Sequence, residues 1–165
     1  MELRSTSATQ TRSIGAAIAA VAEAGDVVVL TGDLGTGKTV VAQGIAAALG
    51  VDEPVVSPTF TLMREYDGRL PVRHLDVYRL DHVQEAIDLG LEELLDDGVV
   101  LVEWGEGVRE VLPAERLEVA LALLPPDEAD DDTRRIEITG VGTGWEARRG
   151  ALVAALDRLA GARPC

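Results

Sequence analysis

Eight consecutive residues, Gly32-Asp33-Leu34-Gly35-Thr36-Gly37-Lys38-Thr39, bring together the groups needed to hold a phosphate chain. Glycines let a backbone wrap around a phosphate and point successive amide hydrogens at its oxygens, and a helix opening at the end of such a turn adds its positive dipole end. In a loop of this spacing a lysine ammonium reaches the β- and γ-phosphates, and the threonine hydroxyl becomes a magnesium ligand. The match to G-x-x-x-x-G-K-[ST] is complete; by chance it is expected in under about 1% of chains this long. Lys38 is the only lysine among 15 basic residues, the rest being arginine, so its survival asks for a local reason. The implied chemistry is binding of a nucleoside triphosphate with Mg2+. Asparagine is absent altogether, which removes the Asn-Lys-x-Asp element by which GTPases read guanine and favours ATP.

A magnesium-phosphate site also needs a carboxylate at the end of a neighbouring strand. Glu103 follows the apolar run Val99-Val100-Leu101-Val102 and is the first candidate metal ligand; Asp76 is its rival and Glu106 a reserve. Asp76 lies on an alternating stretch in which His74, Asp76 and Tyr78 share one face and Leu75 and Val77 the other. That pattern suits a residue that orients an attacking water better than one in a buried strand. Each carboxylate also has a plain reading as a strand-end residue at the sheet rim, and His74 as a satisfied sheet histidine. Thr59 and Thr61 can be β-favouring residues, Trp104 either core or a lid, and Arg79 a partner for a carboxylate or another protein.

The elements that must position these groups follow from periodicity. Residues 8–24 have helical spacing and stop at Gly25. Val27 to Thr31 is a short β-branched run of the kind found in parallel strands covered on both faces. Residues 38–49 form the helix that opens at the glycine-rich turn. Two strands follow, joined at Asp67-Gly68, then a helix over 83–96, a fully apolar strand from Val99 to Val102, strands at 116–124 and 134–139, and a closing helix over 145–160. The acidic stretch PPDEADDD between the last two strands reads as a loop, with a cation or partner site as the alternative.

At 165 residues with 47% hydrophobic residues, the chain is expected to form a single α/β domain over 1–165. Its one cysteine, Cys165, ends the sequence, so neither an internal disulfide nor a thiol zinc site is expected. No apolar run spans a bilayer and the first residues lack a secretion pattern, so the expected compartment is the cytoplasm, away from membranes. The net charge of −14 opposes direct binding to nucleic acid.

Taken together, the loop, then Ser57-Pro58-Thr59-Phe60-Thr61-Leu62, His74-Leu75-Asp76-Val77-Tyr78-Arg79-Leu80, Leu89-Gly90-Leu91-Glu92-Glu93 and Val102-Glu103-Trp104-Gly105-Glu106, in this order, resemble the bacterial TsaE family of tRNA threonylcarbamoyladenosine biosynthesis ATPases. The resemblance covers residues 32 to 106. It implies a P-loop NTPase three-layer sandwich with a mixed, mostly parallel sheet and helices on both faces. It further implies Mg2+-dependent hydrolysis of ATP in concert with TsaB and TsaD, tRNA being met through that complex. Carried over, the phosphate site falls on Asp33, Leu34, Gly35, Thr36, Gly37, Lys38 and Thr39, the magnesium ligands on Thr39 and Glu103, and the catalytic carboxylate on Asp76. Thr59 would sit near the γ-phosphate and Thr11 near the base and sugar. The acidic loop is not part of the family pattern.

Two other functions fit a phosphate loop. A small-molecule kinase needs a basic lid, which Arg134-Arg135 or Arg148-Arg149 could furnish. A non-catalytic module would use ATP only to dock a partner.

Overall fold

The structure is a computed structural model that describes residues 1–58, 61–78, 93–105, 110–125 and 132–159. In chain order its elements are β1 (Glu2–Ser5), α1 (Ala8–Ala19), β2 (Val27–Thr31), α2 (Lys38–Ala48), β3 (Met63–Tyr66), β4 (Val72–Asp76), a 3-10 helix (Glu93–Leu95), β5 (Val99–Glu103), β6 (Arg116–Leu123), β7 (Arg134–Val141) and α3 (Thr143–Leu159). The two continuously apolar runs, β2 and β5, lie side by side at the centre, since strands without a polar face are stable only when covered on both sides. The sheet runs β1-β7-β6-β2-β5-β4-β3. Strands β6, β2, β5 and β4 are parallel, and β7, β1 and β3 complete the edges by antiparallel pairing.

Alternate residues of the central strands feed two cores. Val28, Leu30, Leu101, Leu117 and Val119 pack under α1, α2 and α3. Val27, Val29, Val100, Val102 and Leu75 pack on the other face against Leu112, with Leu94, Leu95, Trp104 and Val111 at the margin. This is the expected α/β layering. Most of the helix anticipated over 83–96 lies outside the described residues; within them, Glu93–Leu95 form a 3-10 turn.

The helix layer is fixed by a close crossing of α1 and α2 at two glycines. A Cβ on Gly15 would meet the Val41 carbonyl oxygen at 2.3 Å, and one on Gly44 the Arg12 carbonyl oxygen at 2.1 Å. Two further devices set the helices. Ser7 caps α1 by accepting the Gln10 amide hydrogen at 3.2 Å, while the Gln10 side chain accepts from the Thr6 amide at 2.8 Å, a variation on the capping box. Arg148 on α3 donates to both Asp26 oxygens at 2.6 and 2.7 Å and to the Val21 carbonyl at 2.9 Å, tying α3 to the turn that leads into β2.

Some expectations shift. α1 ends at Ala19 rather than near residue 24. β1 was not anticipated, because four residues with only Leu3 apolar carry too little pattern; pairing with β7 makes it a strand. β4 is the main correction: instead of an alternating arm with one wet face, it is inserted between β5 and β3, with Val72, His74, Leu75 and Asp76 all buried. Its one partly exposed residue, Arg73, pairs with Glu65 and Asp97.

Alanine at Gly44 is therefore expected to destabilise by about 1–3 kcal/mol or more despite its better helix propensity. Gly150 of α3 meets nothing within 4 Å, so Gly150→Ala is expected to stabilise by about 0.4–1 kcal/mol. Denaturant midpoints of the two variants check the opposite signs.

Candidate active site

β2 ends at Thr31, and the chain turns through the glycine-rich loop into α2. Gly32, at φ 126°, passes so near β6 that a Cβ would lie 2.1 Å from the Leu121 carbonyl oxygen, so this position admits only glycine. Gly37 caps α2 in the left-handed region at φ 107°. The loop is braced internally: Thr36 donates its hydroxyl to the Asp33 carbonyl at 2.8 Å and its amide at 3.3 Å. Leu34 at the loop tip is 87% exposed, so its contribution to a ligand site is its backbone.

Lys38 is buried. Its ammonium donates to the carbonyls of Gly32 at 2.6 Å and Asp33 at 2.9 Å, and lies 3.6 Å from the centre of the Trp104 ring. The charge is thus held by backbone dipoles and an aromatic face. Trp104 is aimed there by an unusual backbone: it follows β5 with φ 64°, and its amide donates to the Leu30 carbonyl at 3.0 Å. Its ring also meets Tyr78, centroids 4.8 Å apart. Of the two readings of Trp104, core and lid, the ring takes part in both: it packs at the margin of the second core and stands beside Lys38 on the cavity wall. Tyr78 lies past the end of β4 and is largely exposed, so the row of three polar groups expected on β4 reduces to His74 and Asp76.

Parallel register brings the carboxylates to the same edge. Leu30 pairs with Glu103, and Glu103 with Asp76. The Thr39 hydroxyl, on the first turn of α2, donates to Glu103 Oε1 at 2.9 Å. Giving its hydrogen to a carboxylate leaves a hydroxyl's lone pairs for a cation, so this pair suits a hard, oxygen-seeking metal such as Mg2+. Among the described residues no cluster of three or more His, Cys, Asp or Glu forms a metal cage. A cation here would take its remaining ligands from phosphate and water, as Mg2+ usually does. Asp76 accepts from the Ser57 hydroxyl at 3.3 Å and the Tyr78 amide at 3.0 Å. Gly35, Lys38, Thr39, Asp76, Glu103 and Trp104 all line one cavity of about 340 Å3.

Thr11 lies beneath this assembly. It is buried, its hydroxyl shared with Ser5 Oγ at 2.8 Å and the Ser7 carbonyl at 3.2 Å, and its methyl faces Gly37. Thr59, Arg79 and Glu106 lie outside the described residues. Sequence reasoning missed three supports. Ser57 reaches Asp76, Gln43 donates to the Val55 carbonyl at 3.0 Å, and the Tyr66 hydroxyl meets both the amide and the carbonyl of Val56. Ser57 at least opened a motif that could have signalled it; the other two carry no local signature. His74 turns out to bond Glu103, with Nε2 to Oε1 at 2.8 Å.

A strand, a glycine loop and a helix, with strand-end carboxylates beside them in a parallel sheet, define the P-loop NTPase-like class of α/β fold. The family model of the threonylcarbamoyl adenosine biosynthesis protein TsaE matches residues 5–135. The TsaE protein of Bacillus subtilis is 44% identical over 148 residues, 88% of this chain and 89% of its own. That of Streptomyces coelicolor is 41% identical over 139 residues, 81% and 93%. The crystal structure of Bacillus subtilis YdiB superposes with a TM-score of 0.75 at 39% identity, covering 96% of this chain and 94% of that one. The chain belongs to the TsaE family.

A phosphate arriving at Lys38 competes with the contacts that now hold its ammonium, including the Trp104 ring. Adding ATP or ADP is expected to change indole emission in Trp145→Phe, which keeps Trp104, and to leave it unchanged in Trp104→Phe. A signal of equal size in both variants would break the link between Lys38 and the indole.

Proposed function

We propose that this chain is the Mg2+-dependent, ATP-hydrolysing component of the bacterial machinery that places threonylcarbamoyl on adenosine of tRNA, working in the cytoplasm with TsaB and TsaD. Family membership supports the pathway. The observation that carries the enzymatic reading is the bond from Thr39 to Glu103 beside the phosphate loop, which couples the start of α2 to the end of β5.

The amides of residues 33–39 and the dipole of α2 cradle the β-phosphate. Lys38 turns from its own loop carbonyls to the β- and γ-oxygens. Thr39 and Glu103 would hold the cation, which when bound would offset phosphate charge in the transition state. Asp76 accepts a hydrogen from the water that attacks the γ-phosphorus, held in place by Ser57 and the Tyr78 amide. By resemblance Thr59 lies near the γ-phosphate, and Thr11 near the base and sugar of the nucleotide. Bond cleavage releases ADP and inorganic phosphate. The net charge of −14 fits a component whose partners hold the tRNA. The kinase reading loses a candidate lid, because Arg148 is committed to Asp26.

Turnover of γ-labelled ATP is expected to rise at least about tenfold when TsaB and TsaD are added, the label appearing as inorganic phosphate. Equal rates with and without partners, or label on a small acceptor, would overturn the assignment. Lys38→Ala is expected to weaken ATP binding by about 1.5–3 kcal/mol, roughly 10- to 150-fold in Kd, measured by calorimetry.

A further inference from the structure

His74 is wholly buried, and its two ring nitrogens have opposite fates. Nε2 lies 2.8 Å from Glu103 Oε1, while Nδ1 is buried with no hydrogen-bond partner among the described residues. A buried nitrogen left without a partner carries a free-energy cost, so a position that only needed filling is better served by an apolar side chain, as at Val72 and Leu75 on the same strand. The ring is kept for its other nitrogen. A carboxylate oxygen accepts, so Nε2 bears the hydrogen.

The strand register explains the reach. His74 pairs with Leu101, which places Glu103 two residues along β5 on the same face as the imidazole. Glu103 Oε1 thereby receives two donors from two layers of the fold, the Thr39 hydroxyl from the helix α2 and the His74 ring from the strand β4. Among the described residues nothing is bonded to Oε2. Two hydrogen bonds on one oxygen fix the rotation of the carboxylate, and the second oxygen stays available.

We propose that His74 is a positioning residue: by donating Nε2–H to Glu103 Oε1 it orients the carboxylate so that Oε2 is presented to the divalent cation, touching neither cation nor nucleotide itself. The role is geometric and needs no change of protonation. It rests on the reading of Glu103 as a metal ligand given above.

The test separates metal affinity from nucleotide affinity. Full-length wild type, His74→Gln, His74→Asn and His74→Phe are titrated with Mn2+ at saturating ADP, free Mn2+ being followed by electron paramagnetic resonance, and with ADP in EDTA by calorimetry. His74→Phe keeps the volume without the donor. His74→Asn places its amide near the position of Nδ1 and is a second variant without a donor at the place of Nε2, should phenylalanine impair folding. The Gln amide reaches the place of Nε2. His74→Phe and His74→Asn are expected to weaken Mn2+ binding by about 10- to 100-fold while ADP binding in EDTA stays within about twofold, and His74→Gln to recover most of the loss. In a Glu103→Gln background His74→Asn is expected to add less than about twofold, because it acts through that carboxylate. Unchanged Mn2+ affinity in His74→Phe and His74→Asn, an equal loss in EDTA, or a full further loss on top of Glu103→Gln overturns the proposal. A Glu103→Gln protein that binds Mn2+ as wild type does would remove the metal reading itself, and the role of His74 with it.

Discussion

Parallel pairing of β2 with β5 and of β5 with β4 is the constraint on which the rest of the molecule depends. Parallel strands end at the same edge of a sheet, so the loop after β2, Glu103 at the end of β5 and Asp76 at the end of β4 converge without any long-range adjustment of loops. The packing serves that edge. The glycine crossing of α1 and α2 lets the helix behind the phosphate loop lie close, and Gly32 lets the loop pass against β6. A displacement of α2 along its axis would part Thr39 from Glu103, so the tight helix layer is also a device for holding a hydroxyl within 2.9 Å of a carboxylate.

Lys38 shows how a strongly acidic protein keeps one cation poised for an anionic ligand. Two loop carbonyls and the Trp104 face hold the ammonium. A phosphate oxygen is a charged acceptor and binds an ammonium more strongly than a backbone carbonyl does.

How much of this was legible before the fold was known depends on how local each signal is. The phosphate loop is eight consecutive residues, and β2 and β5 are unbroken apolar runs, so both could be read directly, Val27 to Thr31 to the residue. Glu103 followed from the end of such a run. β4 misled because the alternation of His74 and Asp76 with Leu75 and Val77 suggests one wet face; only the sheet order shows that both faces are covered, the polar one by the carboxylate and hydroxyl groups of the site. The supports from Ser57, Gln43 and Tyr66 cross between elements 10 to 19 residues apart in sequence, and spacing carries no trace of them. β1 is a strand only because β7 is there to pair with it.

Two buried carboxylates opposite each other on adjacent strands pose an electrostatic problem that the sheet alone does not solve. Like charges on adjacent strands repel more strongly in a protein interior than in water, because the effective dielectric is lower. Hydrogen bonds lessen the cost: Thr39 and His74 serve Glu103, and Ser57 and the Tyr78 amide serve Asp76. Each carboxylate thus draws its donors from different elements, which ties the end of the sheet to α2 and to the segment before β3. The same edge carries the end of β2 and the first turn of α2, so burying the two carboxylates and placing the glycine-rich loop are one packing problem, solved by the same contacts.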